Sequence, residues 1–62
     1  MKYKLTVKRN NKIHKVVSEG IDLYEAIDKL LDSSDIEIYD TKSGVLLYDN
    51  KEGYYDGNPA FK

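Results

Sequence analysis

The chain of 62 residues contains no cysteine, which excludes disulfide staples, thiol catalysis and thiolate metal sites together. It has one histidine, His14, so a multi-histidine metal site within a single chain is excluded as well. No apolar run approaches the ~18 residues of a membrane span, and the basic start lacks the apolar centre of a signal peptide. A soluble cytoplasmic protein with no membrane contact is therefore expected. The four glycines, at 20, 44, 53 and 57, match neither nucleotide-binding fingerprint. Ser43-Gly44 lacks the glycine two residues before the serine that a nucleophile elbow needs. Asp49 to Gly53 resembles a calcium loop only faintly, because counting back from Gly53 puts Tyr48 at the first ligand position. No motif sets a serine or carboxylate beside His14 to make it a general base. These gaps predict a non-enzymatic chain with no cofactor and no metal.

Size points the same way. A domain this short hides only about 60% of the surface its unfolded chain exposes, and one sheet with one short helix hardly walls a preorganised pocket. Apolar residues at 40% and charged residues at 34% are a globular balance.

Periodicity then orders the chain. Tyr3, Leu5 and Val7 alternate with Lys2, Lys4, Thr6 and Lys8, the pattern of a strand with one buried face. Asn10-Asn11 suits a tight turn, and Ile13 to Val17 returns. A two-residue loop pairs Leu5 with Val16; a three-residue loop with a bulge pairs Leu5 with Val17 and swaps the faces. Asp22 followed by Glu25 reads as a capping box opening a helix from Leu23 to about Asp32, with Leu23, Ile27 and Leu30 as its apolar stripe. Ser33-Ser34-Asp35 ends it without a glycine, and Asp32 opposes the helix dipole. Ile36 to Asp40 is a third strand and Val45 to Tyr48 a fourth, joined through Thr41-Lys42-Ser43-Gly44 with Gly44 at a left-handed position.

The expected architecture is α+β, order ββαββ: a four-stranded antiparallel sheet with one α-helix packed on one face. Residues 1–50 form the domain, and residues 51–62 form a C-terminal tail holding Gly53, Gly57, Pro59, Tyr54, Tyr55 and Phe61.

A sheet covered on one side is normally polar on the other. Here the second face would carry one of Val16 and Val17, one of Leu46 and Leu47, and Tyr39, flanked by the stems of Lys4 and Lys8. Either the aromatic tail covers that band or another molecule does. The leading expectation is a protein-interaction module, either a homodimer or an inhibitor or modulator of a larger protein. Its contact residues would be Tyr39, Leu46 and Tyr48, with Tyr54 and Tyr55 as further aromatic anchors.

Charge supplies two alternatives. Residues 1–17 carry six basic side chains and no acid, a local +6, against −7 for the remainder. Lys4, Lys8, Arg9, Lys12 and Lys15 would contact nucleic-acid phosphates; the simpler expectation pairs these lysines with Glu37, Asp35 or Asp40 across the sheet. Glu25, Asp28 and Asp32 on one helix face would mimic nucleic-acid charge and block a nucleic-acid-binding protein, although a solvated acidic face is common on helices.

Overall fold

The Asn10-Asn11 dipeptide organises the first third of the chain. In the computed structural model, which describes residues 1–32 and 35–61, both asparagines take positive φ, 52° and 62°, the paired left-handed angles of a type I′ turn. Asparagine visits that region at less cost than most residues. The turn joins β1 (Lys2–Arg9) to β2 (Lys12–Glu19) and sets the two-residue-loop register, with Leu5 opposite Val16 and Lys4 opposite Val17. Val16 consequently points toward the core and Val17 away from it.

The helix opens as its capping box predicts. Asp22 Oδ1 accepts a hydrogen bond from the Glu25 backbone N–H at 2.9 Å, and Glu25 Oε1 accepts one from the Ile21 N–H at 3.3 Å. One orphan donor of the first turn, the Glu25 N–H, is thereby satisfied, and the returning bond falls one residue before the N-cap, at Ile21. Asp22→Ala is expected to cost about 1 kcal/mol, a drop of roughly 4–8 °C in a thermal circular-dichroism melt. Asp22→Asn should keep most of the lost stability, and an unchanged melt for Asp22→Ala would remove the cap from the account.

The helix is shorter than the spacing predicts. α1 spans Leu23–Asp28, and beyond it the bonds tighten to a three-residue reach, Leu30 N–H to Ile27 O at 2.9 Å and Leu31 N–H to Asp28 O at 3.2 Å. Arg9 of β1 meets the chain just past this end: its Nη2 donates to Leu30 O and pairs with Asp32 Oδ2, both at 3.2 Å, so a cation from the sheet serves one carbonyl there. The expected Ser33-Ser34 stop lies outside the described residues.

The remaining elements are β3 (Ile36–Asp40), β4 (Leu46–Asp49), β5 (Gly53–Tyr54) and a 3-10 turn at Pro59–Phe61. Among the described residues the sheet has five antiparallel strands in the order β2-β1-β3-β4-β5, one more than the expected four. The added strand is a two-residue pairing of Tyr54 with Tyr48 and Gly53 with Asp49. It is too short to announce itself as a pattern. Gly44 takes φ 75° in the β3–β4 loop, as expected, while Val45 precedes β4 instead of opening it.

Leu5, Val7, Leu23, Ile27, Ile36, Ile38 and Leu47 form the buried core between the sheet and α1. The tail closes this same side. Tyr54 meets Tyr24 of α1 and Tyr48 of β4 edge-on, each with ring centroids 5.1 Å apart, and Phe61 lies 4.6 Å from Tyr24. Such pairs add about 0.5–1.5 kcal/mol each beyond their area burial.

The open face of the sheet

Strand pairing fixes what the second face displays. One cross-strand row reads Ile13, Lys8, Glu37, Asp49; the next reads Lys15, Thr6, Tyr39, Leu46; Val17 stands opposite Lys4. Ile13 is 65% exposed and Val17 63%, whereas Tyr39 and Leu46 are half-buried. A shallow groove of about 290 Å³ runs between Ile13 and Tyr39, lined also by Thr6, Lys8, Asp40 and Thr41. A larger cleft of about 470 Å³ lies at the turn end of the sheet, where Asn10, Asn11 and Lys51 border Ile36, Glu37 and Asp49.

Of the residues expected to bind a partner, Tyr39 and Leu46 share this open face, and Tyr55 joins it through Asp49. Tyr48 and Tyr54 do not. Both pack against the core on the helix side. The reason is a bulge: the pairing shifts between Ile38 and Tyr39, so that Tyr48 is opposite Ile38, Leu46 is opposite Tyr39, and Leu47 is the extra residue. The inserted residue breaks the alternation that would have put Leu46 and Tyr48 on one face. Leu47 turns inward and is fully buried. Tyr54 and Phe61 of the tail therefore cover the helix side, Tyr55 borders the open face at Asp49, and Ile13 and Val17 are left to solvent. Ile13 is the site residue that alternation alone missed. Its signal was the two-residue Asn-Asn turn, since that loop length forces 13, 15 and 17 onto the face of 4, 6 and 8.

The basic residues also divide. Lys4, Lys8 and Lys15 lie on the open face, whereas Arg9 and Lys12, opposite each other in the register, lie on the helix face. Arg9 is occupied by Leu30 and Asp32. Lys8 Nζ is 4.0 Å from Glu37 Oε1, both about 40% exposed, which is the cross-strand pairing expected from the charges. Exposed pairs of this kind contribute about 0–1 kcal/mol. Nor do the three acids share a helix face, because α1 stops at Asp28. Glu25 is engaged with Ile21 and Lys29, Asp28 is exposed, and Asp32 pairs with Arg9.

At the far end of the open face, Tyr55 O–H donates to Asp49 Oδ2 at 2.6 Å, while Asp49 Oδ1 accepts the Lys51 and Glu52 amides at 2.9 and 2.7 Å. The segment that faintly resembled a calcium loop is thus an Asx turn whose carboxylate is already committed. The bond to Asp49 pushes the Tyr55 phenol up from its ordinary 10.0 to about 12, and the same bond, with the two amides, draws the Asp49 carboxyl below its ordinary 3.8. Tyr39 is also raised, by burial first and then by Glu37, to whose Oε2 it donates at 3.2 Å. A raised phenol contributes stability that is whole below its unfolded value near 10 and vanishes as pH climbs through the folded value. Asp49 contributes stability that is whole above about 3.8 and fades as pH falls. Tyr55→Phe should therefore show less stability loss than the parent chain between pH 10 and 12 in urea melts. Identical alkaline profiles would show that this bond does not form in solution.

Among the described residues no group of three His, Asp or Glu side chains is gathered to hold a metal ion, and no helix is long and apolar enough to cross a membrane. Compared with known protein families, curated proteins and solved structures, this small α+β fold of five antiparallel strands and one short helix matches none.

Proposed function

We propose that this chain is a protein-binding module whose docking surface is the open sheet face, centred on Ile13, Val17, Tyr39 and Leu46. The observation that carries this reading is the exposure of Ile13 and Val17, at 65% and 63%, on the half of the face that the aromatic tail does not reach. Fully burying two such side chains is worth about 1.5–3 kcal/mol each, and the groove beside Tyr39 offers a partner a place to seat an apolar group. Aromatic and β-branched side chains supply this area at little rotamer cost.

The test is the double variant Ile13→Asp/Val17→Asp. Both side chains are exposed, so its thermal melt should stay near that of the parent chain. Parent and variant are used side by side as bait, with bound proteins quantified by mass spectrometry and the mass of the isolated chain measured by light scattering. The expected result is a discrete set of proteins retained by the parent and lost by the variant. Identical sets for both baits would sink the reading.

A second reading has one observation in its favour: Lys4, Lys8 and Lys15 lie on the same face. Three phosphate contacts would give single-stranded nucleic acid a log–log salt slope near about −2. Lys4→Gln/Lys15→Gln would weaken such binding, whereas Ile13→Asp/Val17→Asp would damage a protein interface first.

A further inference from the structure

β2 is one outer strand of the sheet, and its length of eight residues is unusual for an unguarded edge. Its backbone direction follows from the hairpin. Met1 and Gly20 exchange both hydrogen bonds, Gly20 N–H to Met1 O at 3.0 Å and the Met1 amine to Gly20 O at 2.9 Å. Antiparallel pairs alternate between bonded and non-bonded, so Ser18, Val16, His14 and Lys12 bond back to β1. The N–H and C=O groups of Ile13, Lys15, Val17 and Glu19 point the other way. Glu19 O is taken by Lys29 Nζ at 2.6 Å. Ile13, Lys15 and Val17 remain without a partner among the described residues, and all three are exposed. The residues that offer backbone to the open edge are the same ones that present side chains to the open face.

Charge decides between occupants. Residues 1–17 carry six basic side chains and no acid, and Lys4, Lys8 and Lys15 surround the two apolar side chains on the open face. A second copy paired so that Ile13 meets Val17 would set the two Lys15 side chains directly against each other, a destabilising arrangement, and would bring two such basic hairpins together. An extended acidic segment meets no such conflict.

Resting on the reading of the open face as a docking surface, we propose that β2 accepts an extended acidic segment of another protein as a sixth strand. The segment places apolar side chains beside Ile13 and Val17 and a carboxylate beside Lys15. Main-chain bonds to residues 13, 15 and 17 supply affinity, and the alternating apolar–acidic–apolar row supplies selectivity.

The probe is a blocked, fluorescein-labelled ten-residue peptide with Val-Thr-Asp-Thr-Val at its centre, titrated with the full chain by fluorescence anisotropy. Binding should slow amide exchange at Ile13, Lys15 and Val17. Lys15→Glu should weaken it about tenfold, attraction being replaced by repulsion, and a peptide with lysine in place of the aspartate should restore it. Methylating the peptide's pairing amides should abolish binding, because it removes the donors without altering charge. Binding that survives methylation overturns strand addition in favour of side-chain or polyanion contact. So does tighter binding of a 20-nucleotide single strand than of the peptide, or protection of the three amides in a dimer formed without peptide. If no peptide binds at millimolar concentration while the Ile13/Val17 variant still loses its captured proteins, strand addition fails and the docking face stands. If that variant loses nothing, the docking face itself fails.

Discussion

Ile38→Ala is expected to remove about half of the stability of the fold. Ile38 occupies the middle of β3, the central strand, paired on one side with Val7 and on the other with Tyr48, and none of its surface is exposed. Truncating a buried isoleucine to alanine costs about 2–5 kcal/mol, the transfer energy of the lost methyl groups plus the cavity left behind. Per-residue scaling gives a domain of this length about 3–9 kcal/mol in total. The substitution thus removes a large fraction of the available stability, and β3 has no slack to collapse into the gap because strands hold it on both sides. In urea the midpoint should fall by about 2 M or more, while Ile38→Val should cost only about 0.5–1.5 kcal/mol. A midpoint for Ile38→Ala equal to that of Ile38→Val would show that the core around β3 is loose.

Gly20→Ala is the second large effect, and it acts through space, not backbone angle. A Cβ at Gly20 would stand 2.8 Å from Ala26 N, 3.0 Å from Glu25 Cβ and 3.1 Å from Asp22 O. Two of these three atoms are backbone, so no rotamer change relieves the conflict. The methyl group must lift the start of α1 away from β2. That movement also stretches the buried bond from Ser18 Oγ to Ala26 O, now 2.7 Å, and disturbs the paired Met1–Gly20 rung. Overpacking of this kind costs about 1–3 kcal/mol, or roughly 5–20 °C in melting temperature at this size. Gly57→Ala is the control, since a Cβ there meets nothing within 4 Å. An equal melt for both variants would refute the close approach.

What could be read from the sequence was what local chemistry decides. The Asn10-Asn11 turn, the Asp22–Glu25 capping box, the left-handed Gly44 and the alternation of Leu5 and Val7 each depend on residues close in the chain. What could not be read depends on partners far along it. Leu30 and Leu31 continue a helical stripe by spacing, but α1 stops at Asp28, and the segment after it is held by Arg9, twenty-one residues upstream of the carbonyl it takes. Tyr48 changes face because of a bulge specified by the packing of Leu47, which no period-2 pattern reveals. β5 is two residues long and is held by the rings of Tyr24, Tyr48 and Phe61. The open face was half legible: Tyr39, Leu46 and one of two valines were in view, and the turn length that selects Val17 and adds Ile13 was already present in the residues.

The two borders of the sheet are unequal, eight residues at β2 and two at β5. Head-to-tail polymerisation needs complementary sticky borders on every subunit. With one long border and one stub, β2 of one molecule finds no matching border at β5 of the next, so head-to-tail chains of sheets gain almost no pairing. Concentrated solutions should scatter light as discrete particles and form no filaments.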